Sequence, residues 1–182
     1  IKKIDPTVII IVGGAGCLPT FTGPSVYADD LISAGWVDYH IRGDGEHALY
    51  EFLKDNREYA GINSLEWREL SKDEMRSLPM PDYSQYYFDT YQKKVLPLTG
   101  SRGCVRKCTF CDYIANWKVF NWRTADDIYN EMQVQYQKYG IRYFKFQDSL
   151  TNGNMKEFVR LTEMLSVYNT ANPDKSFRWS GY

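Results

Sequence analysis

Apolar runs alternate with stretches of helical spacing along the first third of this chain. A continuous β-branched run at 7–12 is typical of a strand in a parallel sheet that is covered on both faces. The elements predicted after it are a helix over 25–34, a strand at 37–41, and a helix with Leu49, Phe52 and Leu53 on its apolar face. This order of strand, helix, strand and helix predicts a small α/β sheet.

Both periodicities fail between 57 and 92, and this stretch predicts an ordered linker. The elements predicted beyond it are strands at 95–99, 143–147 and 176–180, and helices over 125–139 and after Asn154. Thr124 and Asp127 have the spacing of a capping box at the start of the first of these helices. Its apolar stripe consists of Ile128, Met132, Tyr136 and Tyr139. Repeated strand–helix units of this kind predict part of a (β/α) barrel.

Composition and charge limit the classes of partner and compartment. The formal net charge is -1, so no electrostatic attraction to nucleic acid or to an anionic membrane surface is expected. The longest apolar run is too short to span a bilayer, and no signal peptide is expected. Three of the four cysteines lie within eight residues, which is typical of metal binding in a reducing compartment. A cytoplasmic protein is therefore expected.

The clustered cysteines form the most informative motif of the sequence. Cys104, Cys108 and Cys111 have the spacing C-x3-C-x2-C and follow a predicted strand. Three thiolates on one loop can hold three irons of a four-iron cluster and leave the fourth iron open to a cofactor or substrate. The basic residues Arg102, Arg106 and Lys107 would temper the negative charge of such a cluster, and Gly100 and Gly103 would let backbone N–H groups approach it.

Two other uses of these cysteines stay open at this point. A structural zinc ion needs a fourth ligand, for which the sequence offers His40, His47 and Cys17. A non-catalytic iron–sulfur module for electron transfer needs four ligands to close the cluster, and no fourth cysteine lies nearby in the sequence. The spacing favours the cluster with one open iron.

With Phe110 before the last cysteine, this motif resembles the signature of the radical S-adenosylmethionine superfamily. In that family the amino and carboxylate groups of the methionine moiety chelate the open iron. An electron from the cluster then cleaves the sulfonium to give a 5′-deoxyadenosyl radical. The resemblance implies that Phe110 packs near the adenine and that an electron donor such as a flavodoxin or ferredoxin is a partner.

The same resemblance extends through 146–148 to the strand that contains Trp179. It makes Asp148 a candidate ligand of the cofactor's methionine amino group, and the alternative is that Asp148 caps the loop into the next helix. Arg123 precedes a predicted helix, where it either meets a cofactor carboxylate or packs against the protein.

The first part of the chain resembles the second half of the cobalamin-binding domain that precedes the radical barrel in one branch of this superfamily. The resemblance is carried by Gly13 and Gly14 after the first strand, by 37–39, and by the turn at 42–46. It implies that the glycine turn lies against the nucleotide tail of cobalamin, because glycine lets a backbone come that close. The family's cobalt-coordinating D-x-H-x-x-G motif is expected in the first half of that domain, before Ile1. Residues 38–43 match its letters but stand in the second half, so His40 and His47 are interpreted as ordinary strand and helix residues.

These inferences combine into one prediction of organisation and function. Residues 1–56 are expected to be the C-terminal half of a Rossmann-like cobalamin-binding domain, 57–92 a linker, and 93–182 the first strands of a radical S-adenosylmethionine barrel. The expected function is reductive cleavage of S-adenosylmethionine at a [4Fe–4S] cluster, in a cobalamin-dependent methyltransferase or cyclase whose substrate, a small molecule or peptide, the sequence does not name. A radical enzyme without cobalamin is the alternative within the class. The presence of only half of a cobalamin-binding domain and of only three barrel strands predicts an internal fragment of a longer enzyme.

Overall fold

The chain divides into two compact units, Ile1–Leu70 and Ser71–Tyr182. They are seen in a computed structural model that describes residues 1–14, 17, 19–20, 23–64, 68–111 and 117–182. The predicted linker 57–92 is divided between the two units, and its residues 65–67 lie outside the described part. The functional assignment of 1–56 and 93–182 stays a prediction.

The first unit contains two pairs of strands and two helices. The elements are β1 (Ile11–Gly13), β2 (Pro19–Thr20), β3 (Gly23–Val26), α1 (Tyr27–Ser33), β4 (Tyr39–Ile41) and α2 (Gly45–Leu53). Strand β1 pairs with β4 in parallel, and β2 pairs with β3 in antiparallel orientation. The parallel pair places the carboxyl ends of β1 and β4 at one edge, which is where α/β sheets hold their ligands.

The first strand is shorter and more exposed than the sequence predicts. Of this run, only Ile11 and Val12 lie in a paired strand, Ile11–Gly13. The Ile9 side chain is 53% exposed. The backbone N–H of Ile10 donates to the carboxylate of Asp38 at 2.7 Å, so a side chain takes the place of a ladder bond. The prediction of a strand over 7–12 covered on both faces is therefore wrong for its first half.

The two helices of the first unit also depart from the prediction. Helix α1 begins at Tyr27, not at 25, because Gly23–Val26 pairs with β2. In α2 the buried residues are Ala48 and Phe52, which lie four positions apart on one stripe. Leu49 and Leu53, predicted on the apolar face, are 43% and 74% exposed. A short two-stranded sheet covers one narrow stripe of the helix, so the neighbouring positions face outward.

The second unit is built on a three-stranded parallel sheet. Its elements are α3 (Lys72–Ser77), a 3₁₀ turn (Phe88–Thr90), β5 (Leu96–Leu98), β6 (Ser101–Arg102), β7 (Asn121–Trp122), α4 (Ala125–Tyr139), β8 (Tyr143–Phe146), α5 (Met155–Ala171), a 3₁₀ turn (Pro173–Lys175) and β9 (Arg178–Ser180). The sheet has the order β5–β8–β9, with both pairings parallel. Its core combines sheet and helix residues: Leu96, Leu98, Phe144, Phe146, Ile128, Met132, Leu161 and Leu165.

Helix α4 has the bounds that the sequence predicts. The Thr124 side chain accepts from the N–H of Asp127, and the Asp127 carboxylate accepts from the N–H of Thr124, which completes the capping box. Gly140 ends the helix at φ 69°, a left-handed conformation that favours glycine. The Asn154 side chain likewise caps α5, but the Glu157 carboxylate accepts from the N–H of Ala125 and so caps α4.

The predicted linker contains regular structure that the periodicity misses. Helix α3 has its own capping box, formed by Ser71 and Glu74, and Tyr83 and Phe88 pack against the core of the second unit. Six residues of helix are too few for a periodic signal, which explains the omission. No helix in the described part of the chain is long and apolar enough to cross a membrane.

Candidate metal centre

The cysteine loop of the second unit is closed at its base by a short ribbon. Strands β6 and β7 pair in antiparallel orientation, with Ser101 opposite Trp122 and Arg102 opposite Asn121. The N–H of Arg123 also donates to the carbonyl of Gly100 at 2.8 Å. These residues, 100–102 and 121–123, are called the neck here, and they bring both ends of the loop together beside the carboxyl end of β5.

Packing above the neck fixes the loop on two sides. Gly103 has φ 80°, and a Cβ atom there would collide with the backbone of Val119, in the part of the loop that returns to β7. The ring of Phe120 lies so close to Gly153 that a Cβ atom on that glycine would come within 2.6 Å of it. The loop therefore packs against the connection between β8 and α5.

The three predicted ligands lie beyond this neck as free thiols. Cys108 is exposed, and Cys104 and Cys111 are half-buried. The N–H of Arg106 approaches the sulfur of Cys104 at 3.4 Å, and the N–H of Cys111 donates to the carbonyl of Cys108 at 3.1 Å. A backbone donor to sulfur stabilises a thiolate and helps to set the reduction potential of a cluster.

The donor set fits a multi-iron cluster with one open position. Among the described residues, which include all three cysteines, no three His, Cys, Asp or Glu side chains are arranged to hold a single metal ion. A cubane cluster makes a different demand, because each thiolate binds its own iron. Three free thiols on one loop supply three such ligands and leave one iron to be ligated by another molecule.

Asp148 lies at the carboxyl end of β8 and reaches the neck of the cysteine loop. It is 3% exposed. One carboxylate oxygen accepts from the N–H of Gly100 and the other from the hydroxyl of Ser101, both at 2.8 Å. Burial raises the pKa of Asp148, and these hydrogen bonds partly oppose the rise. The Gly100 N–H therefore has its partner in Asp148, and the close approach of other backbone N–H groups to the cluster stays a prediction.

Arg123 has a structural environment. Its side chain is 14% exposed and forms an ion pair with Glu131 on α4. It also donates to the carbonyl of Thr99 at 3.1 Å. Of the two roles predicted for it, the packing role is the one that these contacts support.

Phe110 projects from the tip of the loop. Its side chain is 91% exposed, although a phenylalanine is normally at least partly covered in a folded protein. The ring therefore contributes little to the packing of the described part of the chain. Its predicted contact with an adenine stays a prediction.

A small cavity lies behind Asp148, between the sheet and α5. Its volume is about 30 Å³, and its lining includes Ser101, Asp148, Thr151, Phe146 and Phe158. This volume is on the order of that of one water molecule. It is too small for any of the predicted cofactors, so the carboxyl edge itself offers the space for them.

In the first unit, Gly13 and Gly14 lie at the carboxyl end of β1 and are both exposed. Gly14 has φ 80°, and no other described atom lies within 4 Å of the position that its Cβ would occupy. Beneath this edge, Arg42 is 1% exposed and donates to both carboxylate oxygens of Asp29, at 2.8 and 3.0 Å. The strand end thus presents exposed glycine backbone near an ion pair in which Arg42 is buried and Asp29 is partly exposed.

The histidines and Cys17 take no part in a metal site among the described residues. His40 is 2% exposed, with its Nδ1 atom 3.3 Å from Asp29, and burial lowers its pKa. Cys17 is 2% exposed in a small cluster with Ala28, and burial raises the pKa of its thiol.

Curated relatives resemble this chain over most of its length. The anaerobic magnesium-protoporphyrin IX monomethyl ester cyclase of Rubrivivax gelatinosus is 20% identical over 90% of the chain. The enzymes of the same name from Cereibacter sphaeroides and Synechocystis are each 23% identical, over 95% and 90% of the chain. No family model matches the chain.

Solved structures resemble the fold. The radical S-adenosylmethionine methyltransferase TsrM from Kitasatospora setae, solved with cobalamin and a [4Fe–4S] cluster bound, gives a TM-score of 0.61 over 94% of this chain at 17% identity. The same enzyme with tryptophan substrate and a SAM analogue gives 0.55 over 82% at 18% identity. The chain therefore resembles these enzymes in sequence and in fold, as its cysteine motif predicts.

The chain spans about a third of the length of the proteins that it resembles. It covers 32%, 30% and 35% of the three cyclases, and 33% and 37% of the chain of TsrM in the two structures.

Sequence reasoning missed the neck of the cysteine loop. Gly100 and Ser101 contact Asp148 across 48 and 47 positions of sequence, a separation at which no local pattern operates. A glycine between a strand and the first cysteine was the available signal. It marks a close approach of another group, although it does not say which one.

Proposed function

We propose that Cys104, Cys108 and Cys111 bind one [4Fe–4S] cluster and that S-adenosylmethionine binds at the iron they leave open. The observation that carries this proposal is the C-x3-C-x2-C loop with three free thiols, closed by a neck at the carboxyl end of a parallel strand. That edge is where (β/α) folds keep their active sites. Similarity to radical S-adenosylmethionine enzymes supports the same assignment.

For the whole protein, we propose a cobalamin-dependent methyltransferase or cyclase. The names of the relatives support these two reactions, since they are cyclases and a methyltransferase. When bound, the cluster supplies the electron that cleaves the sulfonium of S-adenosylmethionine. The chain's own residues hold the cluster, place its neighbours and limit access of water, which is what a protein contributes to cofactor chemistry. An electron donor such as a flavodoxin or ferredoxin is part of this proposal.

The two units receive separate roles in this proposal. The first unit would be the C-terminal half of a Rossmann-like cobalamin-binding domain, with the bare backbone of Gly13 and Gly14 against the cofactor's tail. The second would be the first strands of the radical barrel, and its parallel order β5–β8–β9 supports that role. Phe110 would pack on the adenine, and its free ring supports the assignment.

Iron loading tests the first step. The chain is reconstituted anaerobically with iron and sulfide, and its metal and sulfide contents are measured. We expect one four-iron cluster in the wild-type chain and no stable loading in Cys108→Ala. Cys17→Ala is the matched control, because Cys17 is a buried thiol of the other unit. One zinc ion with no iron or sulfide would overturn the proposal in favour of a structural metal module.

Cofactor binding tests the second step. Adding S-adenosylmethionine to the reduced cluster is expected to change its electron paramagnetic resonance spectrum, since the cofactor ligates the open iron. An unchanged spectrum at saturating cofactor would indicate a closed, electron-transfer cluster. Phe110→Ala is expected to weaken binding by about 1–3 kcal/mol through lost adenine packing. It should leave the stability of the chain unchanged, because the ring is exposed.

Cobalamin binding is tested by equilibrium dialysis with hydroxocobalamin. We expect weak binding by residues 1–182, which would supply only the C-terminal half of the proposed cobalamin-binding domain, and firm binding by a protein extended to include the first half of that domain. In the extended protein, Gly13→Val should weaken binding because its side chain would stand between the backbone and the tail. Equal binding by that variant would exclude Gly13 from the cobalamin site, and no binding by the folded extended protein would refute the cobalamin assignment.

A further inference from the structure

Asp148 acts on the neck of the cysteine loop, at the point where the backbone leaves the sheet. The parallel pairing of β5 and β8 ends with the N–H of Gln147 donating to the carbonyl of Leu98 at 2.9 Å. The next backbone donor of this ladder on the β5 side is the N–H of Gly100. Its acceptor is the Asp148 carboxylate. The same carboxylate accepts from the Ser101 hydroxyl, so one side chain holds two successive residues of the neck.

The close approach at Gly100 is built into the packing. A Cβ atom on Gly100 would lie 2.9 Å from the Asp148 carboxylate, 3.2 Å from the ring of Phe146 and 3.3 Å from Ile128. All three neighbours are buried and have little room to retreat. The absent side chain therefore leaves the space in which the carboxylate sits against the backbone.

The neck transmits this contact to the first ligand. The N–H of Gly100 is held by Asp148 and its carbonyl by the N–H of Arg123, so the peptide groups on both sides of Gly100 are held. Cys104 follows four residues later, after β6, which pairs with β7, and after the turn at Gly103. A displacement at Gly100 would move the start of the segment that carries the thiols.

We propose that Asp148 is a positioning residue that holds the iron–sulfur loop in register through Gly100 and Ser101. This inference rests on the proposed function of the loop. It gives Asp148 a role within the chain itself, because both of its oxygens accept hydrogen bonds from the neck. Ligation of the cofactor's amino group is the alternative that the following test separates from it. A carboxylate suits the task, since bonds to an ionised acceptor are stronger than those between neutral groups.

Substitutions at Asp148 separate the two roles. In Asp148→Asn, the side-chain oxygen can still accept from Gly100, and its NH₂ group can donate to the Ser101 hydroxyl, which rotates to accept. Asp148→Ala removes both bonds, and Ser101→Ala removes one. Asp126→Asn, at an exposed carboxylate paired with Arg160, is the matched control.

The first readout is amide hydrogen exchange in the metal-free chain. We expect exchange at Gly100 to rise about tenfold or more in Asp148→Ala, as expected for loss of a charge-assisted bond, and to change little in Asp148→Asn or Asp126→Asn. Unchanged exchange at Gly100 in Asp148→Ala would overturn the proposal. This readout needs no cluster, so it stands even if the loop binds no iron.

The second readout is the reconstituted chain. We expect Asp148→Ala to broaden the spectrum of the reduced cluster before S-adenosylmethionine is added, Ser101→Ala to do so less, and Asp148→Asn to bind the cofactor within about threefold of wild type. If Asp148→Asn lost the cofactor as completely as Asp148→Ala, with its cluster spectrum unchanged, Asp148 would be a cofactor ligand and the positioning role would be refuted. A wild-type chain that holds no iron would refute the proposed function. The hydrogen-exchange result would still test whether Asp148 holds Gly100.

Discussion

Each unit of this protein has a parallel sheet edge where glycine follows a strand, and the two edges use glycine in opposite ways. At the end of β1, Gly14 lies at positive φ with open space around its Cβ position among the described residues, and Gly13 has one backbone neighbour at 3.5 Å. At the end of β5, Gly100 faces three buried groups within 3.3 Å. The first edge exposes backbone, and the second encloses it.

The groups beneath the two edges differ as well. Under the first edge a charged pair, Arg42 with Asp29, is buried on the arginine side. Beside the second, the Asp148 carboxylate is held by a backbone N–H and a hydroxyl, both neutral. The contrast teaches that a glycine after a strand does not identify the chemistry of an edge. An exposed backbone suits the approach of a large cofactor, and an enclosed one suits the anchoring of a loop.

The largest effect is expected at the buried pair of the first edge. Asp29→Ala leaves the guanidinium of Arg42 buried without its carboxylate, which we expect to cost about 2–4 kcal/mol, somewhat less than for a fully buried pair because Asp29 is partly exposed. Urea unfolding measures the change. The double variant Asp29→Ala/Arg42→Met should recover part of the loss, since it removes the unpaired charge. A double variant less stable than Asp29→Ala would contradict this account.

The enclosed glycine provides the next largest effect. Gly100→Ala is expected to destabilise the chain by about 1–3 kcal/mol, because its methyl group overpacks against Asp148, Phe146 and Ile128. Gly13→Ala, the matched substitution at the other edge, should change stability by no more than about 0.5 kcal/mol, since its nearest neighbour lies at an ordinary contact distance. Thermal unfolding of the two variants under the same conditions measures the difference. Equal destabilisation would contradict the distinction between an enclosed and an exposed glycine.

A smaller effect is expected at Gly14, where conformation and not space is the constraint. Gly14→Ala should cost about 1 kcal/mol, because residues with a Cβ atom disfavour positive φ. Gly14→Asn should cost less, since asparagine tolerates the left-handed region. The same unfolding measurement tests the order alanine, asparagine, glycine. Equal stability of all three would show that the turn is free to relax.

The smallest effect concerns pH, and the two edges are expected to contribute with opposite signs. Burial, assisted by Arg42, lowers the pKa of His40 below 6.5, with Asp29 opposing. The unfolded chain then binds more protons than the folded one just below pH 6.5, so stability falls as the pH falls there. Burial raises the pKa of Asp148 above 3.8, so its contribution is present below pH 3.8 and lost as the pH rises through the folded value.

Single substitutions separate these two contributions. His40→Gln should flatten the fall in the urea midpoint between about pH 7 and 5.5. Asp148→Asn should leave that range unchanged and flatten the dependence only from about pH 4 upward. If His40→Gln lost stability on acidification more steeply than wild type, the assignment of the effect to His40 would be wrong.

The parts of the fold that the sequence predicts well are those with local signals. Helix Ala125–Tyr139 has a capping box at one end and a glycine at the other, within four residues of its own ends, and its bounds are as predicted. The strand predicted at 7–12 fails at Ile10, whose partner Asp38 lies 28 positions away. Helix α2 fails on its exposed leucines, because the extent of the sheet that it covers is a tertiary property.

The candidate site divides in the same way. The cysteine spacing lies within eight residues, so the sequence contains the whole motif. The sequence does not reveal the contacts of the neck in this way, because Asp148 is 48 positions from Gly100. Arg123 shows the same limit, since its ion pair with Glu131 and its bond to Thr99 decide between the two roles that the sequence leaves open.

The separation between Gly100 and Asp148 also orders events during synthesis. The chain emerges from the ribosome from its N-terminus, at about 5–20 residues per second. The thiols of Cys104, Cys108 and Cys111 therefore leave the ribosome seconds before the carboxylate that holds their loop. Iron delivered during that interval meets a loop without its anchor, so a cluster on a registered loop forms only after Asp148 has emerged.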